Sequence, residues 1–232
     1  MRFAIYFLPG SQTPLWRRAC TWLGYDSVSG THLDNSQSAA RSSLDLDALT
    51  RVPRLYGFHA TLKAPFRLGA PFEEQELLNH ASSFSALTPP VGAVTLFPVL
   101  MDGFVALVAP ASARPPIQEL ADACVRTFEP FRAPLNSLER ERRLASPLSA
   151  QQIEYLDLWG YPYVFEQFRF HLTLTGPVSV SMRDRVMTTI AEEFHESDFV
   201  VEIDAICVCR QDAAGEPFRM LERFALSGPQ AA

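Results

Sequence analysis

Two short runs carry side chains able to do chemistry together: His59-Ala60-Thr61-Leu62 and His171-Leu172-Thr173-Leu174. Successive side chains on an extended strand alternate faces, so each run puts its histidine and threonine on one face and its two apolar residues on the other. Opening a phosphodiester needs a base to take a proton from the attacking water and an acid to give one to the departing alkoxide. Imidazole, with an unperturbed pKa of about 6.5, can serve as either near neutrality. Two histidines on opposite sides of one phosphorus supply both roles, and each threonine hydroxyl can donate to a non-bridging oxygen. Lys63 and Arg169 continue the two polar rows, and their charges would stabilise the phosphorane-like transition state. This chemistry calls for no metal and no cofactor.

One such run alone is an ordinary wet face of a half-exposed sheet, because threonine favours strands in any case. A histidine followed by apolar, Thr, apolar is expected at only ~2% of histidines from average composition, and here it occurs at two of five. The two runs are also in register within a wider repeat. Laid on itself with an offset of 112 positions, the chain matches not only the two motifs but also the helical stretch 72–85 with 181–194, and Gly103 with Gly215. Each half then reads strand, helix, strand, glycine turn, strand, with the glycines at the positive-φ positions of hairpin loops. A duplicated unit of this kind predicts an α+β fold over residues 1–232. Two antiparallel sheet lobes, related by a pseudo-twofold, should carry helices on their outer faces and enclose a central cleft.

The elements that must position these groups follow from alternation and breakers. Strands are predicted over 2–8, 57–64, 91–99, 103–109, 167–175, 199–209 and 218–226, and helices over 14–24, 72–85, 115–129, 149–158 and 181–194. The Ser-, Asp- and Asn-rich segment 26–50 predicts loop, with a short helix from about 44.

Composition narrows the function classes. The net charge of -6 and pI near 5.4 disfavour an extended nucleic-acid track while allowing a small phosphate ester, a sugar or a nucleotide, in a local pocket. The four cysteines form no secreted-type disulfide framework, and Cys207 and Cys209 read as buried small hydrophobes rather than metal ligands. The apolar stretch at the N-terminus is far shorter than the ~20 residues of a membrane span. A soluble cytoplasmic protein is the expectation, with no membrane partner and no prediction of oligomeric state. No Walker loop, dinucleotide glycine pattern or Gly-x-Ser-x-Gly elbow is present.

The paired H-x-T motifs resemble the signature of the 2H phosphoesterase superfamily. The flanking text is similar to a branch of phosphonate-metabolism proteins encoded with carbon-phosphorus lyase genes. The similar stretches are Arg2 to Phe7, Tyr56 to Phe66, Asp102-Gly103-Phe104, Phe131-Arg132-Ala133-Pro134, Trp159 to Val164 and Phe168 to Thr175. The resemblance implies a bilobal antiparallel fold like that of the 2H phosphoesterases and RNA ligases. It also implies cofactor-free catalysis on cyclic phosphates, with His59, Thr61, His171 and Thr173 as the functional quartet. A ribose cyclic phosphate of phosphonate breakdown would be the substrate. The alternatives are a phosphodiesterase or ligase of 2′,3′-cyclic RNA or nucleotide ends, and a phosphate-binding module without turnover. Tyr6 is a candidate hydrogen-bond donor to phosphate, and Tyr56, Tyr161, Tyr163 and Arg132 are candidates for the cleft wall. Arg143, in the charged run Glu139 to Arg143, is a candidate contact for a second phosphate; Arg140 and Arg142 have no assigned role. Neither have His32, His80 and His195, which lack the threonine partner.

Overall fold

The structure is a computed structural model that describes residues 1–229 apart from 36, 37, 39, 41 and 42. In chain order its main elements are β1 (Arg2–Phe7), α1 (Pro14–Leu23), β2 (Tyr25–Asp26), β3 (Thr31–His32), α2 (Leu46–Arg54), β4 (Ala60–Phe66), α3 (Glu74–Leu87), β5 (Gly92–Thr95), β6 (Phe97–Met101) and β7 (Phe104–Val108). There follow α4 (Arg114–Thr127), α5 (Ser137–Leu144), α6 (Ala150–Trp159), β8 (His171–Thr173), α7 (Arg183–Glu193), β9 (Val200–Ile203), β10 (Ala205–Gln211) and β11 (Arg219–Ala225). The helices start where local chemistry starts them. Thr13 and Ser149 cap α1 and α6 by accepting from the amides of Trp16 and Gln152, and Pro14 opens α1 at a position where a missing N–H costs nothing.

A seven-stranded sheet runs β11-β10-β1-β4-β8-β7-β6, all of it antiparallel, and β5 pairs separately with β9. The fold is α+β with two wings of sheet. β11-β10-β1-β4 forms one and β8-β7-β6 the other, and they meet at β4 and β8 through one registered pair, Ala60 with Leu172. These two residues are separated by the same 112 positions as the two histidines. Equivalent residues of the two halves therefore face one another, which is what a twofold passing through that pair requires. The rest of the repeat follows it. β4, α3, β5 and the hairpin β6-β7 correspond in order to β8, α7, β9 and the hairpin β10-β11. Gly103 and Gly215 sit in the hairpin connections at φ of 92° and 90°.

The halves are exchanged in space. Hairpin β6-β7 flanks β8, the motif strand of the other half, whereas β10-β11 lies on the side of β4, with β1 between. Helix α3 accordingly packs on β10 and β11, and α7 on β6. Strands β1 and β10 are covered on both faces and are apolar almost throughout, reading Phe-Ala-Ile-Tyr-Phe and Ala-Ile-Cys-Val-Cys. All four cysteines are buried free thiols, Cys207 and Cys209 among them. Two N-terminal helices brace the motif strand β8 from outside the repeat. The buried Trp22 indole of α1 donates to the Leu174 carbonyl at 2.8 Å, and the Gly176 amide donates to the Leu49 carbonyl of α2 at 2.7 Å.

Three expectations are corrected. The second motif strand, predicted over 167–175, is laddered only over His171–Thr173, because Phe165–Gln167 forms a 3-10 turn with Phe165 at φ 53°. The predicted strands over 91–99 and 199–209 are each split in two. The first halves leave the main sheet to pair with each other as β5 and β9, an outcome that strand-wise alternation has no means of showing. The loop expected over 26–50 contains the short hairpin β2-β3, while the short helix expected from about 44 is present as α2; within this segment 36, 37, 39, 41 and 42 lie outside the described residues.

Candidate active site

The pairing of Ala60 with Leu172 places both residues in the core, fully buried. By the two-residue period of strands, His59, Thr61, His171 and Thr173 project from the opposite side, and all four are partly exposed. In the same antiparallel register His59 lies opposite Thr173, and Thr61 opposite His171. Each imidazole therefore has one threonine on its own strand and one across the seam.

The histidines are anchored alike. His59 Nδ1 is 3.0 Å from the Gly57 carbonyl, and His171 Nδ1 is 2.7 Å from the Arg169 carbonyl. A carbonyl oxygen can only accept, so the proton of each neutral ring resides on Nδ1, and Nε2 is left with a free lone pair. At His59 that lone pair lies 3.1 Å from the Thr61 hydroxyl, which donates to it. The anchor of His59 depends on Gly57, whose φ is 70° and where a Cβ would come within 2.8 Å of the Ser27 side chain. Any other residue would be strained there and would displace the carbonyl that sets the tautomer.

Aromatic rings pack around His59. Tyr6 lies against it with centroids 3.9 Å apart, Tyr56 stacks at 6.2 Å, and Phe218 closes the group, 5.8 Å from Tyr6 and 5.7 Å from Tyr56. Removal from water pushes the His59 pKa down to about 4; the hydrogen bond to Gly57 opposes this, and the charge that His171 would carry adds to it. His171 is also lowered, first by burial. Its Arg169 carbonyl bond opposes the shift, the Arg169 charge lowers it further, and Asp102 raises it. Both rings are neutral at pH 7, and His59 responds electrostatically to His171 across the seam.

A cavity of about 420 Å³ opens beside the motifs, lined by Thr61, His171, Phe104, Arg169, Tyr161 and Tyr163 together with α4 residues such as Asp122. Tyr161 and Tyr163 also line a second cavity of about 240 Å³, as do Tyr56, Lys63 and Arg132. The structure thus gathers most of the residues singled out in the sequence around two adjoining spaces. Tyr6 is buried in the ring group with its hydroxyl unpartnered.

Lys63 departs from its expected place on the row of Thr61. The register between β1 and β4 shifts between Tyr6, opposite Thr61, and Ile5, opposite Lys63, so alternation does not carry through Leu62. The Lys63 ammonium is buried and committed to Glu129 at 2.8 Å and the Val125 carbonyl at 3.0 Å. Arg169 is exposed and pairs with Asp102 at 3.2 Å. Arg132 forks onto Glu129 through Nε and an Nη, at 2.8 and 2.6 Å.

Three contributors were not assigned from sequence. Phe104, 5.8 Å from the His171 ring, and Arg2, in the second cavity, lie in stretches that carried the resemblance but no role. Phe218, 159 positions from His59, could be found only in space. Among the described residues no three His, Cys, Asp or Glu side chains are grouped to hold a metal ion, and no helix is long and apolar enough to cross a membrane.

Comparison with known proteins places this architecture in a family. The chain is 37% identical over 98% of its length to a Janthinobacterium sp. (strain Marseille) protein named ribose 1,5-bisphosphate phosphokinase PhnN, of which it covers 51%. It is 30% identical over 95% of its length to a protein of the same name from Laribacter hongkongensis (strain HLHK9), of which it covers 50%. The chain therefore spans about half the length of the curated relatives it matches. Among solved structures, TT0787 of Thermus thermophilus aligns over 99% of this chain and 100% of its own, with 16% identity and a TM-score of 0.47. Residues 61–219, which hold Thr61, His171 and Thr173, match the family described as Protein of unknown function (DUF1045), and the chain belongs to that family.

Proposed function

We propose that this protein is a metal-independent 2H-type phosphodiesterase that opens a small cyclic phosphate by two-histidine acid-base catalysis. The observation that carries the reading is the pairing of the two H-x-T strands at Ala60 and Leu172, with both imidazoles held through Nδ1. The two Nε2 atoms have the same tautomer and stand on symmetry-equivalent strands. His171 lines the larger cavity, while His59 is in the lining of neither cavity and stands across the seam from it, so the two rings can serve the two sides of one phosphorus. One imidazole takes the proton of the attacking water. The water oxygen bonds to phosphorus, the ring P–O bond breaks, and the other histidine, protonated, gives its proton to the leaving alkoxide. Thr61 and Thr173 donate to the non-bridging oxygens. An anionic phosphate favours a charged imidazole, so its arrival raises the depressed pKa of the pair and lets one member load its proton.

The names of the relatives bear on the substrate. Phosphokinase chemistry needs a cradle for nucleotide phosphates, usually a glycine-rich loop with a lysine. This chain has one lysine, in Leu62-Lys63-Ala64, and no such loop, so we assign the kinase name to the half of those relatives that the chain does not match. A ribose 1,2-cyclic phosphate carrying a 5-phosphate gives ribose 1,5-bisphosphate when water attacks phosphorus and the bond to O2 breaks. A domain that makes that product, joined to one that phosphorylates it, accounts for the association.

The test is turnover of chelator-treated protein on ribose 1,2-cyclic phosphates and on the four 2′,3′-cyclic nucleotides, followed by phosphorus NMR. Opening of the ribose ester with EDTA present is expected. Turnover of nucleotides alone would move the substrate to nucleic-acid ends, and activity restored only by a divalent ion would overturn the two-histidine mechanism.

A further inference from the structure

The second cavity is strongly cationic. Arg2, Lys63, Arg67, Arg132, Arg142 and Arg143 line it, with Glu139 as the one acidic residue of the lining, in a chain whose net charge is -6. Two carboxylates answer part of this charge: Glu129 pairs with Lys63 and Arg132, and Glu139 with Arg67. The remaining three guanidiniums make no ion pair within the described residues. Arg2 is held by the neutral Gln211 amide oxygen at 2.6 and 2.9 Å, and Arg143 lies over the Tyr161 ring at 4.9 Å. Arg142 acts on Glu139 only through its field. Like charges crowded at a half-enclosed surface repel, and an anion bound among them relieves that repulsion.

Its position says which anion. The chamber shares Ala64, Tyr161 and Tyr163 with the cavity beside His171, so a ligand whose reacting phosphate meets the histidines can reach it within the same small molecule. Its volume of about 240 Å³ suits one compact group and not a polymer. We infer that this chamber is a subsite for a second, non-reacting phosphate monoester of the substrate, gripped by Arg142, Arg143 and Arg2. A monoester near pH 7 carries a charge of about -1.5 to -2 and three acceptor oxygens, which matches guanidinium forks. The inference rests on the cyclic-phosphate reading and adds to it where the second phosphate is held and which arginines select for it.

Two measurements separate this claim from the reading beneath it. The first is binding of ribose 5-phosphate, which has the monoester but no cyclic ester, to the intact protein by calorimetry. Arg142→Ala and Arg143→Ala, both on the solvent-exposed helix α5, should each weaken it by about 10-fold or more, with part of the loss recovered in Arg143→Lys. The melting temperature of each variant checks that folding is intact. The second is the ratio of kcat/KM for ribose 1,2-cyclic phosphate with and without the 5-phosphate, which should favour the phosphorylated ester by about 100-fold and collapse in the same variants. Absence of all turnover with arginine-dependent binding intact would sink the enzymatic reading and leave the subsite standing. Binding of ribose 5-phosphate indifferent to both substitutions, or a ratio near one in the wild type, would overturn the subsite.

Discussion

The two H-x-T strands carry the same motif in different surroundings. His59 is packed among Tyr6, Tyr56 and Phe218, and its Nε2 is engaged by Thr61. His171 stands at the wall of the open cavity beside Phe104, next to the exposed pair Arg169 and Asp102. Both rings nevertheless make the same Nδ1 bond to the carbonyl two residues upstream. The motif thus sets tautomer and direction, while the neighbours set burial, pKa and contribution to stability. Both rings are partly exposed at the seam, but His59 is wedged among packed rings whereas His171 stands at the cavity wall.

The sharpest way to break this comparison is to remove each ring. His59→Ala and His171→Ala should each lower turnover of the cyclic ester by roughly 10²- to 10⁴-fold, and the double variant should be little worse than the poorer single one, since both act in one step. Only His59→Ala should also lower stability, by roughly 1–3 kcal/mol, because it leaves a void among three rings. Denaturant unfolding of the pair reads this difference, and equal stability losses would show that the two environments are not distinct. Wild-type turnover in either single variant would be fatal to the two-histidine mechanism.

The threonines should matter less and more evenly. Thr61→Val and Thr173→Val each delete one donor to the phosphoryl oxygens with little change in shape, so a loss of about 10- to 100-fold in kcat is expected. A much larger loss in Thr61→Val than in Thr173→Val would mean that its bond to His59, and not the phosphate, is what counts.

Titration separates the two histidines through stability. Both pKa values are lowered in the folded state, so the unfolded chain binds more protons below its ordinary value of about 6.5. Their stabilising contribution is complete above that pH and is lost as pH falls toward about 4, where folded His59 takes up its proton. The loss from His59 is on the order of 2 kcal/mol after allowance for its partial exposure. Unfolding free energies from pH 7 to 4 should therefore fall less steeply in His59→Gln than in the wild type, and a variant with an unaltered slope contradicts the buried assignment.

The smallest effect concerns Tyr6, whose hydroxyl is buried without a partner and whose phenol burial keeps protonated. Tyr6→Phe should leave stability unchanged or raise it by up to about 1 kcal/mol, since no bond is lost in the free protein. If phosphate supplies the missing partner, kcat/KM falls by about 2- to 10-fold in the same variant. A clear loss of stability instead would show that the hydroxyl is already satisfied.

Much of this organisation was present in local sequence. The alternation of Phe170, Leu172 and Leu174 with His171 and Thr173 determined which face is core, because burial of apolar groups on a strand leaves one register open. The 112-residue offset predicted the pairing of equivalent strands, since a duplicated half-sheet completes itself most readily with its copy. Helix starts at Pro14, near Pro115 and after Ser149 followed from first-turn chemistry. What tertiary structure alone decided involves partners far apart in the chain. The register shift that takes Lys63 from the row of Thr61 to Glu129 arises from pairing with β1, nearly sixty positions away. The ring group around His59 draws on positions 6, 56 and 218, and the cationic chamber on arginines from position 2 to position 143. Periodicity reports which way a side chain points from its own element; which neighbour it meets is settled only when separate elements compete to pack against one another.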